Sequence, residues 1–173
     1  MKIRNDFVSN SSSCSFTVSN ANKLMELLEP LGDMPGAYQY FEISAWCYQK
    51  DYADIYKVIW ESEPSREYFE YKDDEPRLLT FDDYNHFLYT WKELPKDLKS
   101  KIFKIEIGCE DYHTSEVALL NLLYQLCELA DLNPNDDYTE IPFRDGEKVQ
   151  PQFIVNLHNK ITELKDKKKC QKP

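Results

Sequence analysis

Apolar residues recur along this chain with two periods. Spacings of three and four mark one face of a helix, and strict alternation marks one face of a strand. Residues 2–8 and 15–19 read as short strands around the polar run Ser9-Asn10-Ser11-Ser12-Ser13, whose side chains bond to nearby backbone in preference to continuing a strand. After Asn20, a good N-cap, Leu24, Leu27, Leu28 and Leu31 keep helical spacing until Gly32 and Pro35 end the pattern. Three β-rich stretches follow: 38–46 with Phe41, Ile43 and Ala45 on one face, 55–60, and 67–72, where Phe69 and Tyr71 alternate with charge. They predict an antiparallel meander. The middle stretch, Ile55 to Trp60, also fits a turn or two of helix after Asp54, but its β-branched and aromatic content favours a strand.

Thr80 is placed to cap a helix in which Phe81, Tyr84, Leu88 and Trp91 share a face, with Asp82 and Asp83 at its positive end and Pro95 as its stop. Phe103, Ile105 and Ile107 alternate with Lys104 and Glu106, the clearest half-buried strand in the chain. From Thr114 or Ser115 to about Asp131, apolar residues fill half of a helix's circumference, leaving Asn121, Gln125 and Glu128 as a polar stripe. So wide an apolar face belongs to a central helix with several neighbours. Asp145-Gly146 reads as a hairpin turn between 141–143 and 147–149. Phe153, Leu157, Ile161 and Leu164 mark a last helix before the basic stretch Lys165 to Pro173.

The pattern predicts an α+β domain over 1–165 and a basic tail over 166–173. A mostly antiparallel sheet of five to seven strands packs against about four helices, near 20–31, 80–93, 115–131 and 152–165. At 173 residues, with 42% hydrophobic and 14% aromatic content, the chain can bury a substantial core. Its net charge of −10 repels phosphate backbones and anionic lipid headgroups, which argues against nucleic-acid and membrane partners and for a basic protein surface. The charged start and the lack of a long apolar run predict a cytoplasmic protein.

Five cysteines at positions 14, 47, 109, 127 and 170 form no Cys-x-x-Cys pair and read as free thiols, with Cys127 on an apolar helix face acting as a small hydrophobe. With only 4 glycines, no phosphate-cradling loop can be assembled, and no cofactor or metal is implied. Cys109 and His113 stand four residues apart where strand gives way to helix, a spacing that admits a nucleophile and base of a small hydrolase or transferase. Glu70-Tyr71-Lys72 has the acidic-x-Lys spacing of metal-dependent nucleases, yet Asp97-Leu98-Lys99 and Glu163-Leu164-Lys165 share it, as expected by chance in so charged a chain. The acidic pairs lack the alternation and turn glycine of a calcium loop. Ser9, Asn10, Ser11, Ser12 and Ser13, with Arg4 on the preceding strand, are the candidate binding residues. Hydroxyls and successive backbone N–H groups can cradle an anion while a guanidinium adds a two-pronged donor; the competing reading is a solvated turn with Arg4 paired to Asp6.

The opening residues, Met1-Lys2-Ile3-Arg4-Asn5-Asp6-Phe7-Val8-Ser9-Asn10 through Phe16, resemble an N-terminal signature of uncharacterised bacterial proteins, departing from it at Cys14, where the family has Ser. The resemblance covers about a tenth of the chain and implies a bacterial or phage-borne origin, with no activity attached. The functional expectation is a small, acidic, non-enzymatic binding or regulatory module, in its sharpest form a mobile-element inhibitor of a nucleic-acid-binding enzyme; the alternative is the Cys109/His113 enzyme.

Overall fold

A computed structural model describes residues 13–34, 41–64, 72–81, 83–110, 114–136 and 152–171. The fold is α+β, as the periods predict. Four antiparallel strands, β1 (Ser13–Val18), β2 (Phe41–Tyr48), β3 (Pro76–Phe81) and β4 (Lys104–Glu110), form the sheet, and the two-residue β5 (Asn135–Asp136) adds to its edge, in the order β3-β2-β4-β1-β5. Six α-helices are described: α1 (Ala21–Leu28), α2 (Gln49–Trp60), α3 (Tyr84–Glu93), α4 (Lys96–Lys99), α5 (Thr114–Leu129) and α6 (Gln152–Cys170).

Register explains the two faces of the sheet. Ile43 pairs with both Phe81 and Ile107, Ala45 with Leu79 and Ile105, and Phe16 with Ile107, so one face is a continuous apolar surface whose residues are all buried. Helix aromatics settle on that face. Tyr124 of α5 meets Phe16 edge-on at 5.5 Å, while Trp60 of α2 and Phe87 of α3 both contact Phe81, at 5.9 and 4.9 Å. Tyr84 of α3 meets Phe153 of α6 at 5.5 Å, which ties the outer helices together. As its wide apolar face requires, α5 is central: Leu119, Leu120, Leu123, Leu126 and Cys127 are fully buried, and α5 packs on β4, β1 and α6.

Several boundaries differ from the pattern's prediction. Residues 55–60 belong to α2 rather than to a strand. The buried residues of this helix are Gln49, Tyr52 and Ile55, spaced by three, and a window opening at Ile55 sees only its β-branched end. No side chain caps α2; instead the Gln49 and Lys50 amides donate to the Glu75 and Asp73 carbonyls, at 2.9 and 3.2 Å. Thr80 does not cap α3. It lies in β3 with Phe81, and Asp83 caps the helix by accepting from the His86 amide at 2.8 Å. Asn121, expected on the polar stripe of α5, is buried. The last helix does not dissolve into a tail at Lys165 but runs to Cys170, held by Lys167–Glu163 and Lys169–Asp166 pairs one turn apart and by Lys168 bonded to Asp131 beyond the end of α5. The predicted strand at 2–8, residues 67–71 of the one predicted at 67–72, and the hairpin at 141–149 lie outside the described residues; Lys72 is not in a strand.

Candidate protein interface

The second face of the sheet is built by the alternate residues of the same strands. On β2 it carries Glu42, Ser44, Trp46 and Tyr48; opposite them on β4 lie Gly108, Glu106 and Lys104, and on β3 lie Thr80, Leu78 and Pro76. Its composition is mixed, with exposed Thr80 and Tyr48 beside buried Ser44 and Gly108. Trp46 and Leu78 pair across β2 and β3 and are half-buried, whereas Tyr48 at the strand end is 40% exposed. Phe103, just before β4, stacks on Tyr48 with ring centroids 4.7 Å apart, and its amide donates to the Trp46 carbonyl at 2.9 Å. The result is a small aromatic and apolar patch at one end of this face.

Charge surrounds the patch. Lys104 lies over the Trp46 ring, its Nζ 4.1 Å from the centroid, within cation–π range. Glu106 accepts from Ser15 Oγ at 2.7 Å, and Glu42 lies further along the same face. At the other end, the turn Asp73-Asp74-Glu75 leads into Pro76 beside Tyr48, with Asp73 and Asp74 exposed. Two polar atoms here, Ser44 Oγ and Trp46 Nε1, are shielded from solvent without a hydrogen-bond partner among the described residues. Alternation with Phe41, Ile43 and Ala45 already puts Trp46 on the opposite side of β2, but the neighbours it meets there, Lys104 and Leu78, follow only from the register.

The residues singled out from sequence have other positions. Arg4, Ser9, Asn10, Ser11 and Ser12 lie outside the described residues. Ser13 is not part of a loop; it opens β1, paired with Glu110. Cys109 is buried on the helix-packed face of β4, paired with Phe41 and Cys14, and His113 lies outside the described residues. Burial pushes the thiols of Cys47 and Cys127 up to about 12, with Asp51 adding to the effect at Cys47 and Glu128 at Cys127. Among the described residues no cluster of three or more His, Cys, Asp or Glu is arranged to hold a metal ion, and no helix is long and apolar enough to cross a membrane.

No family model, curated protein or solved structure matches this chain.

Proposed function

We propose that the chain is a non-enzymatic protein-binding module and that the aromatic end of the outer sheet face is its contact surface. The observation that carries this reading is the cluster of Trp46, Tyr48 and Leu78 on the second sheet face, with Phe103 stacked on Tyr48 at its end and carboxylates beside it. Binding energy at protein interfaces concentrates in such aromatic anchors, surrounded by a polar rim. The net charge of −10 and the flanking acidic turn favour a partner with a basic surface, because complementary charge speeds encounter and rejects acidic competitors. Basic surfaces line nucleic-acid channels, so an inhibitor occupying such a channel is the sharpest form of this proposal. The enzymatic alternative needs an accessible Cys109 thiolate, and the buried position of that side chain does not favour it.

The test is capture from a bacterial lysate on the immobilised chain at low and high salt, followed by identification of the retained protein and rebinding of its purified form. The proposal expects a basic protein retained at low salt, released by high salt, and bound more weakly by Tyr48→Asp. If nothing is retained at low salt, the protein-binding reading fails. A purified partner that binds Tyr48→Asp as it binds the wild type overturns the choice of surface.

A further inference from the structure

We infer that the outer sheet face receives an arginine-bearing segment of the partner, and that Lys104 occupies the guanidinium's place on Trp46 until that segment arrives. This rests on the protein-binding reading and adds the chemistry of the occupant. Lys104 and Trp46 face each other across β2 and β4, and the ammonium already sits over the indole, so the ring is presented to a cation in the free protein. Among the described strand residues of this face, Lys104 is the one cation. Glu106 stands opposite Ser44, one pair further along, with Glu42 beyond it, and Asp73 and Asp74 lie past Tyr48 at the other end.

The exchange has a favourable direction. Lysine's ammonium is a compact, strongly hydrated charge on a flexible stem, and Lys104 can swing back to water. An arginine guanidinium is planar and weakly hydrated; it stacks on an aromatic face while offering two parallel N–H donors to a neighbouring carboxylate such as Glu106. The partnerless Trp46 Nε1 adds to the case. A shielded indole N–H without an acceptor is costly in the free protein, and a side-chain shift that uncovers it on binding lets a partner carbonyl satisfy it.

The experiment titrates the full-length chain with an oligo-arginine peptide and, separately, with an oligo-lysine peptide of equal length. Binding is followed through the indole N–H resonances of the three tryptophans, assigned with Trp46→Phe. The inference expects oligo-arginine to bind more tightly than oligo-lysine and to move the Trp46 indole resonance. Lys104→Gln should tighten binding more than Lys23→Gln, which makes the same charge change at an exposed position on α1. Trp46→Leu should weaken oligo-arginine binding about two- to five-fold, the worth of an exposed cation–π contact. Should Trp46→Leu fail to fold, the Lys104→Gln comparison decides alone. Equal gains from Lys104→Gln and Lys23→Gln, or equal affinity for the two peptides, would overturn the inference by reducing it to long-range attraction. Those outcomes leave the protein-binding reading standing, since that depends on capture of a partner and on Tyr48.

Discussion

Cys109 follows Gly108 at the end of β4, and its side chain continues the row of Ile105 and Ile107 into the core. The period of two in Ile105-Glu106-Ile107-Gly108-Cys109 runs one step further than the expected strand, and following it puts Cys109 inside. Cys127 was legible as a core residue because seven neighbouring residues of a long helix fix its face; Cys109 had only a strand end. The thiols therefore divide by burial. At neutral pH a maleimide should modify exposed Cys170 in the native protein and spare Cys47, Cys109 and Cys127 until denaturant is added, as read by peptide mass spectrometry. Rapid native-state labelling of Cys109 would contradict its place in the core. Buried thiols also set an alkaline limit. A group whose pKa is higher folded than unfolded stabilises fully below the unfolded value and loses that contribution as pH climbs through the folded one. For Cys47 and Cys127 this window runs from 9.0 to about 12, and buried Tyr84, also raised, acts in the same direction at higher pH. Urea midpoints should thus fall with pH above 9.0, less steeply in a Cys47→Ala/Cys127→Ala variant; equal slopes would contradict the shifts.

Helices with several turns and one dominant period were legible: α1, α5 and α6 lie where their leucines and isoleucines predict, and β2 and β4 where apolar and polar residues alternate. Failure came where two elements meet without a glycine between them. β2 passes directly into α2 at Tyr48–Gln49, and β3 is separated from α3 only by residues 82 and 83, so the aromatic residues of one element read as part of the next. Capping decides the second case. Asp83→Ala, which removes the acceptor for the His86 amide, should cost about 0.5–2 kcal/mol in urea unfolding, whereas Thr80→Ala, at an exposed strand position, should cost less. The reverse order would return the cap to Thr80. A second clamp lies between α1 and α3. The Asn85 side chain accepts from the Met34 amide at 2.7 Å and donates to its carbonyl at 2.8 Å, holding the chain just after Gly32, whose positive φ of 80° turns it away from α1. Asn85→Ala should destabilise the protein by about 1–3 kcal/mol, and an unchanged urea midpoint would show that the clamp carries no load.

For the molecule as a whole, charge was readable from composition but its distribution was not. Basic residues cluster late in α6, where Glu163, Asp166 and Asp131 pair with four of the lysines, so this end is largely self-neutralised. Lys167 and Lys160 hold the carboxyl of Glu163 below its ordinary pKa, so these pairings are lost as pH falls through that lowered value. The acidic excess is carried elsewhere, including the turn beside the aromatic patch. The pattern of single residues marks which side of a strand is apolar, but it does not say which neighbours share the other side, and so the Trp46 patch became visible only with the strand order. On the proposed reading, this patch is where a partner docks. The most direct measurement is hydroxyl-radical footprinting of the chain, free and bound to its purified partner, read residue by residue by mass spectrometry. Docking on the patch predicts that Tyr48 becomes protected in the complex while Tyr89, exposed on α3, stays reactive; unchanged labelling of Tyr48 with protection at Tyr89 would place the interface on α3 and contradict it.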